Sequence, residues 1–372
     1  MKLTNNIISF AGGEANLAPY KMFVDYYNHA RYLKGDTTAE FQEFAEDGRK
    51  LSFSEKEEQL NAAIKREILR VANITNFEEF PVSTWHTHPN LRWATFAVIS
   101  TMIDTILPDT LRNLAGQFAE IRNIGLGDIS HFTVKPNELF VVSKASRLGK
   151  RTTEVHKWFS GEITVTTEPR QMTVYVSLIR VLEGKESLAE FVNQMVRSFE
   201  YSMSVDIYTA FAGAMNTIDN TPGTGLRTAG YSDAEFTRIS QAVRAFNGGG
   251  NVIAMGTQTA LANVLPADAN YRYDISSEFA RLGYMNNYKG TQLIVMPQLA
   301  NFNAPFSLLL PDDRIYFLSA GDQKIVKLVL EGNTLAWQDD TYDRENLLQT
   351  STMWKSWGTA VVTNAVAGVI TL

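Results

Sequence analysis

The last sixty residues constrain this chain most, because they alternate strand-like runs with short turns and then close on a small apolar tail. Arg314-Ile-Tyr-Phe-Leu-Ser319 and Lys324-Ile-Val-Lys-Leu-Val-Leu330 are strand sequences separated by Gly321-Asp322-Gln323, and Glu331-Gly332-Asn333 precedes Thr334-Leu-Ala-Trp337. Gly-bearing turns this short join antiparallel neighbours, so three paired strands are expected. Residues 353–362 and 365–372 follow, and an apolar tail of that kind is expected to be tied into a sheet.

With 372 residues, more than one core is expected. A hydrophobic content of 45% supplies ample core material, and a net charge of −6 argues against a general nucleic-acid-binding surface. The chain has no cysteine, which excludes disulfides and thiolate metal sites and favours assembly in a reducing cytoplasm. Residues 1–10 have no signal-peptide core, and no run reaches the roughly 18 apolar residues that span a bilayer.

Residues 1–90 read as an arm. Residues 37–46 form an acidic helical stretch, and Ser54-Glu-Lys-Glu57 is a capping box opening a helix to about Ala72. Its apolar stripe is thin, Leu60, Ile64, Ile68 and Val71, so it needs a partner surface. Farther on, Pro108 fits the first turn of a helix carrying Leu111, Leu114, Phe118 and Ile121, which Gly125-Leu-Gly127 ends.

The period then changes. Residues 138–143 and 162–167 read as the outgoing and returning strands of a long hairpin, joined by a polar connection, with 171–178 continuing as a strand. If the whole segment 138–181 is one long hairpin, half its length at ~3.3 Å per residue reaches up to ~70 Å. The radius of gyration for a chain this long is only ~21 Å. Such a protrusion would lie on a neighbour. Behind it, Ser187-Leu-Ala-Glu190 caps a helix running to about Met215, with Leu188, Phe191, Met195, Phe199, Met203, Ile207, Phe211 and Met215 in a winding stripe. At ~1.5 Å per residue it is ~40 Å long.

Residues 217–230 form a loop into an α+β unit. Ser232-Asp-Ala-Glu235 caps a helix bearing Phe236, Ile239, Val243 and Phe246, Gly248–250 stops it, and strands are expected at 252–255, 291–296 and 306–310.

No catalytic constellation emerges. Gly248–250 precede a strand, whereas a phosphate cradle follows one and opens a helix. His86 and His88 share one face of an extended segment and His131 could complete a three-histidine metal site, but no acid is placed beside them and solvated loop histidines are the plainer reading. We therefore expect no catalytic, metal or cofactor residues. Charge is more informative: Lys144, Arg147, Lys150, Arg151 and Lys157 face a single acid, Glu154, in the hairpin connection, while eight acids and three bases lie between Asp36 and Glu58. These two regions are expected to meet between subunits, with Glu55, Glu57 and Glu58 as the acidic candidates.

Pro311-Asp312-Asp313-Arg314-Ile315-Tyr316, followed by Trp357-Gly358 and Ala360-Val361-Val362, resembles the closing segment of tailed-phage major capsid proteins of the Hong Kong 97-type fold. The resemblance implies an α+β capsid fold: an N-terminal arm at 1–94, a helical lead-in at 95–137, an extended loop at 138–170, a peripheral domain with strand and spine helix at 171–216, an axial domain at 217–333 and a return to the peripheral domain at 334–372. It also implies a non-enzymatic subunit that self-assembles into pentamers and hexamers of an icosahedral shell around double-stranded DNA. The partners would be scaffolding and portal proteins and DNA bound without sequence specificity, with no membrane, and the location the virion after assembly in the host cytoplasm. An encapsulin-like compartment shell is the nearest alternative and a histidine-ligated metal enzyme a more distant one.

Overall fold

The computed structural model describes residues 18–34, 52–74, 89–115, 119–134, 160–177, 187–219, 225–265, 279–302, 304, 306–319, 324–338, 348–361 and 366–372. Three helices come first: α1 (Ala18–Leu33), α2 (Phe53–Val71) and α3 (Pro89–Ala115). Strands β1 (Ala119–Ile124), β2 (Ser130–Val134), β3 (Gly161–Val165) and β4 (Glu168–Ser177) lead to the long helix α4 (Leu188–Asn216). Then come β5 (Arg227–Ala229), α5 (Asp233–Phe246), β6 (Val252–Gly256), α6 (Gln258–Ala262), β7 (Asn287–Tyr288), β8 (Thr291–Val295), β9 (Arg314–Ser319), β10 (Val326–Gln338), β11 (Leu348–Val361) and β12 (Gly368–Thr371).

Helix α4 organises the first unit. Ser187 caps it by accepting from Glu190 N–H, and Met195, Phe199, Met203, Ile207 and Phe211 are buried along it, as the periodicity expects. It packs against α3 and against a four-stranded sheet ordered β1-β10-β11-β4, in which β1 and β10 are parallel and the other pairs antiparallel. The second unit is a six-stranded sheet ordered β5-β12-β9-β6-β8-β7, with α5 and α6 packed on it.

Several expectations need correction. Helix α3 does not start at Pro108 but runs through it. Proline removes the hydrogen bond to the carbonyl of Asp104 and costs about 3 kcal/mol in a helix interior. Burial of Leu91, Val98, Ile99, Met102, Ile103, Ile106, Leu107 and Leu111 outweighs that. Ile121, assigned to that helix, lies on β1 instead. Phe118 lies outside the described residues.

The expected antiparallel pair of strands at 314–319 and 324–330 does not form. Ile315, Tyr316, Phe317 and Leu318 are all buried, so β9 has apolar side chains on both faces and sits inside the six-stranded sheet, with both edges taken by β12 and β6. β10 belongs to the other sheet. Nor does Glu331-Gly332-Asn333 reverse the chain: β10 continues through it with a register shift between Glu331 and Leu335, where Gly332 has φ +57°. A residue read as a turn former makes a bulge instead.

The apolar tail is tied into a sheet, as expected, but into the second one, where β12 lies between β5 and β9. The boundary at 333 and the assignment of 334–372 to the first unit shift accordingly, since β10 enters the first sheet at Val326. The described part of 1–94 also stands inside the main core. Leu60, Ile64 and Ile68 of α2 are fully buried against α1, α3 and α4, and Pro89–Ala115 crosses the boundary at 94. The cap of α2 is Ser52 with Glu55, two residues before the expected box.

Candidate assembly site

The base of the hairpin is built from residues far apart in sequence. β2 pairs antiparallel with β3, Ser130 opposite Val165 and Val134 opposite Gly161. The outgoing strand is thus 130–134 in its described part; residues 138–143 lie outside the described residues. Phe132, Val165 and Val329 of β10 form a small apolar cluster beneath it.

Charge clamps this cluster. The Arg122 guanidinium lies 4.1 Å from the centroid of the Phe132 ring, and the Lys327 ammonium lies 5.4 Å from it. Arg122 also donates to the His131 carbonyl at 3.0 Å, while Lys327, 5% exposed, pairs with Glu120 across β1 and β10. Glu331 at the β10 bulge accepts from Gly127 N–H at 2.8 Å and from the Thr167 hydroxyl. The turn before the hairpin and the segment after it therefore share one carboxylate.

These contacts set a pH dependence. The Thr167 hydroxyl and the Gly127 N–H hold the Glu331 carboxyl below its ordinary value near 4.5. Burial pushes Glu120 up, but Lys327 and Arg122 outweigh it and hold this group low as well. A carboxyl whose folded value is depressed contributes stability above its unfolded value and loses it as pH falls through the folded one. Amides of 130–134 and 161–165 should therefore lose hydrogen-exchange protection on acidification below about pH 4.5. Glu331→Gln should loosen them already at neutral pH and flatten the profile. Unchanged protection in that variant would remove Glu331 from the clamp.

Where the segment after the hairpin meets β11, a second fixed point lies at Trp357-Gly358. Trp357, 3% exposed, donates its indole N–H to Asp206 of α4 at 2.9 Å and meets Phe199 edge-on at 6.2 Å. Arg170 of β4 lies over the same ring and 3.3 Å from Asp206. A Cβ at Gly358 would stand 2.0 Å from the Thr166 carbonyl oxygen, so no larger residue fits that approach. The third is Asp104 of α3, which accepts from Thr334 N–H at 2.7 Å and its hydroxyl at 2.6 Å, and pairs with the buried Lys355 at 2.7 Å. Lys355 also donates to the Gly332 carbonyl.

Of the residues singled out in sequence, Glu55, Glu57 and Glu58 lie in the first turns of α2, with Glu58 exposed. Glu55 accepts from the Ser52 N–H and hydroxyl, both at 2.9 Å. Lys144, Arg147, Lys150, Arg151 and Lys157 lie outside the described residues, as do His86 and His88. His131 is half exposed and faces Glu162 at 3.2 Å. Among the described residues no three potential metal ligands cluster, and no helix is long and apolar enough to cross a membrane. The clamp residues Glu120, Arg122, Lys327 and Glu331 were missed in sequence; a lysine and a glutamate bracketing the run Leu328-Val-Leu330 were the available signal.

The family described as "SPbeta prophage-derived putative capsid protein YonB" matches residues 32–371. The chain belongs to this family. It is a capsid structural protein, built as an α+β architecture of one long helix, a four-stranded sheet, a hairpin base and a second sheet unit. A prophage capsid family favours a virion subunit over an encapsulin-like compartment. No curated protein matches the chain in sequence. Similar solved structures include the capsid of cyanophage P-SCSP1u, at 15% identity over 69% of this chain and 86% of that one, TM-score 0.44. The capsid of cyanophage Pam1 gives 12% identity, 70% and 92%, and 0.47. The capsid of the native GTA particle gives 10% identity, 70% and 89%, and 0.47. At these scores the likenesses carry no weight of their own, and membership of the YonB family rests on the match along the chain.

Proposed function

We propose that this YonB-family chain is the major capsid protein of a tailed phage, assembling through pentamers and hexamers into an icosahedral shell around double-stranded DNA. The family match over residues 32–371 carries the reading. Scaffolding and portal proteins are its assembly partners, DNA is enclosed without sequence-specific contacts, and assembly takes place in the host cytoplasm. The subunit works by geometry and not by catalysis. The hairpin and the acidic start of α2 are contact elements, held at defined angles by the Phe132 clamp and by the α2 core. Purified protein should form capsomers or closed shells in sedimentation and electron microscopy; a compact monomer at every concentration would overturn the proposal.

The basic connection, Lys144, Arg147, Lys150, Arg151 and Lys157, meets carboxylates on a neighbouring subunit, the α2 acids among them. One exposed ion pair contributes only about 0.2–1 kcal/mol, so single changes do little. Many repeats around a shell sum to a salt-sensitive contact. Lys150→Glu with Arg151→Glu should leave the fold intact and impair shell formation, and adding Glu57→Lys and Glu58→Lys should partly restore it. Glu55, committed to Ser52, is unsuited to the swap because its reversal would remove the side-chain half of the α2 capping box. Normal assembly of the first variant at low and high salt would remove the loop from the interface.

A further inference from the structure

Between β8 and β9 a loop is closed like a small hairpin. Leu309 N–H donates to the Leu299 carbonyl at 2.8 Å and Asn301 N–H to the Ser307 carbonyl at 2.9 Å, while the N–H groups of Ala304 and Ser307 close two turns inside it at 3.2 Å. Phe302 N–H donates to the Tyr201 hydroxyl, which pins the loop to α4. Yet this well-bonded loop turns Phe302, Phe306 and Leu308 out to solvent, with Phe306 fully exposed. Phe306 also sits at φ +59°, a left-handed conformation that bulky side chains rarely adopt. The fold gains no burial from this side chain and bears strained backbone to present it, which marks a contact made with another molecule.

A second exposed apolar patch lies on the first unit. Leu335 of β10 stands opposite Trp354 of β11. Leu126, in the turn after β1, lies over Gly332 of the β10 bulge, where a Cβ would meet it at 3.2 Å. All three side chains are exposed. The two patches differ in the charge around them. Arg31, Lys34 and Arg197 line the cavity beside Phe302 and outnumber the carboxylates there, Glu200, which is tied to Tyr27 and Arg31, and Glu190, which acts on Lys34. Around Leu126, Asp128 and Glu331 accept from the Gly125 and Gly127 N–H groups, and among the described residues no cation pairs with either carboxylate. An apolar loop with a basic rim fits an apolar patch with an acidic one.

We infer that Phe302, Phe306 and Leu308 of one subunit dock on the patch of Leu126, Leu335 and Trp354 of a second copy of this chain. With the shell reading above as its basis, this contact is head-to-tail. Each copy contributes two different surfaces, so the interface is heterologous and closes into a ring when the rotation between copies permits. Pairing loop with loop would instead set two basic rims together, which disfavours a symmetric dimer through this surface.

The chain has no cysteine, so introduced thiols report directly. Phe302→Cys or Phe306→Cys protein is mixed with mass-tagged Leu126→Cys, Leu335→Cys or Trp354→Cys protein under assembly conditions and oxidised. At least one pair of loop and patch thiols should give mixed dimers at roughly fivefold or more over same-site dimers. Phe306→Gly should leave the melting temperature of the dissociated subunit unchanged or slightly higher, since glycine adopts the left-handed conformation without strain. The same variant should raise the concentration needed for capsomers by roughly tenfold or more, as expected for losing an aromatic anchor. Same-site dimers alone, no mixed dimer in any pair, normal assembly of Phe306→Gly, or a lowered melting temperature in that variant would each overturn the inference. Wild-type shells alongside any of those outcomes leave the capsid reading standing, whereas wild-type protein that stays monomeric removes both.

Discussion

Asp104→Ala should destabilise the subunit by about 3–5 kcal/mol, because it leaves the Lys355 ammonium buried without its carboxylate. The Thr334 N–H and hydroxyl lose their acceptor in the same step. Against a total stability of about 5–15 kcal/mol for a typical domain, that is a large fraction. Urea denaturation of the dissociated subunit measures it. Combining Asp104→Leu with Lys355→Met should recover part of the loss, since removing both charges is less harmful than stranding one. A loss below about 1 kcal/mol in the single variant would mean that the pair does not hold α3 to the bulge of β10.

Trp357→Ala should cost about 3–5 kcal/mol, the range for deleting a buried aromatic. Trp354, three residues earlier and 46% exposed on the other side of β11, should cost far less, within about 1 kcal/mol. Trp357→Phe isolates the polar part: most packing against Phe199 remains, but Asp206 loses the indole N–H and keeps Arg170. Equal melting shifts for Trp357→Ala and Trp354→Ala would show that the sheet is not anchored to α4 at this point.

The helices were legible in sequence where local signals agreed. Ser187, Glu190 and an unbroken stripe fix α4 without any tertiary information. Helix α1 was not identified, although Tyr20, Phe23, Tyr26 and Tyr27 recur at helical spacing and are buried. That signal was available, but no capping pattern drew attention to it. Pro108 misled because a local rule was applied where buried contacts on both sides of the proline decide the outcome. Strand positions such as β6, β8 and β9 were readable, whereas β1 was read as helix, the strand expected at 306–310 is only an isolated bridge between Leu308 and Ala300, and strand partners were not readable. β9 and β10 are close in sequence, yet the burial of both faces of β9 sends them to different sheets. In the site, Asp104 and Lys355 are single charges in apolar runs that the sequence reading passed over, and nothing local pairs residues 251 positions apart. The family resemblance drew on Trp357-Gly358, and the structure supplies the reason for that pairing: the indole reaches α4, and the absent side chain admits the Thr166 carbonyl.

The place of β12 between β5 and β9 bears on the timing of synthesis. Both of its neighbours leave the ribosome first, and 49 positions separate the end of β9 at Ser319 from Gly368. At about 5–20 residues per second, the nascent chain carries an unfilled slot in its second sheet for roughly 2–10 s. During that interval the edges of β5 and β9 are open to any passing strand. On a polysome making many copies side by side, this interval is when one subunit's strand can enter another's sheet.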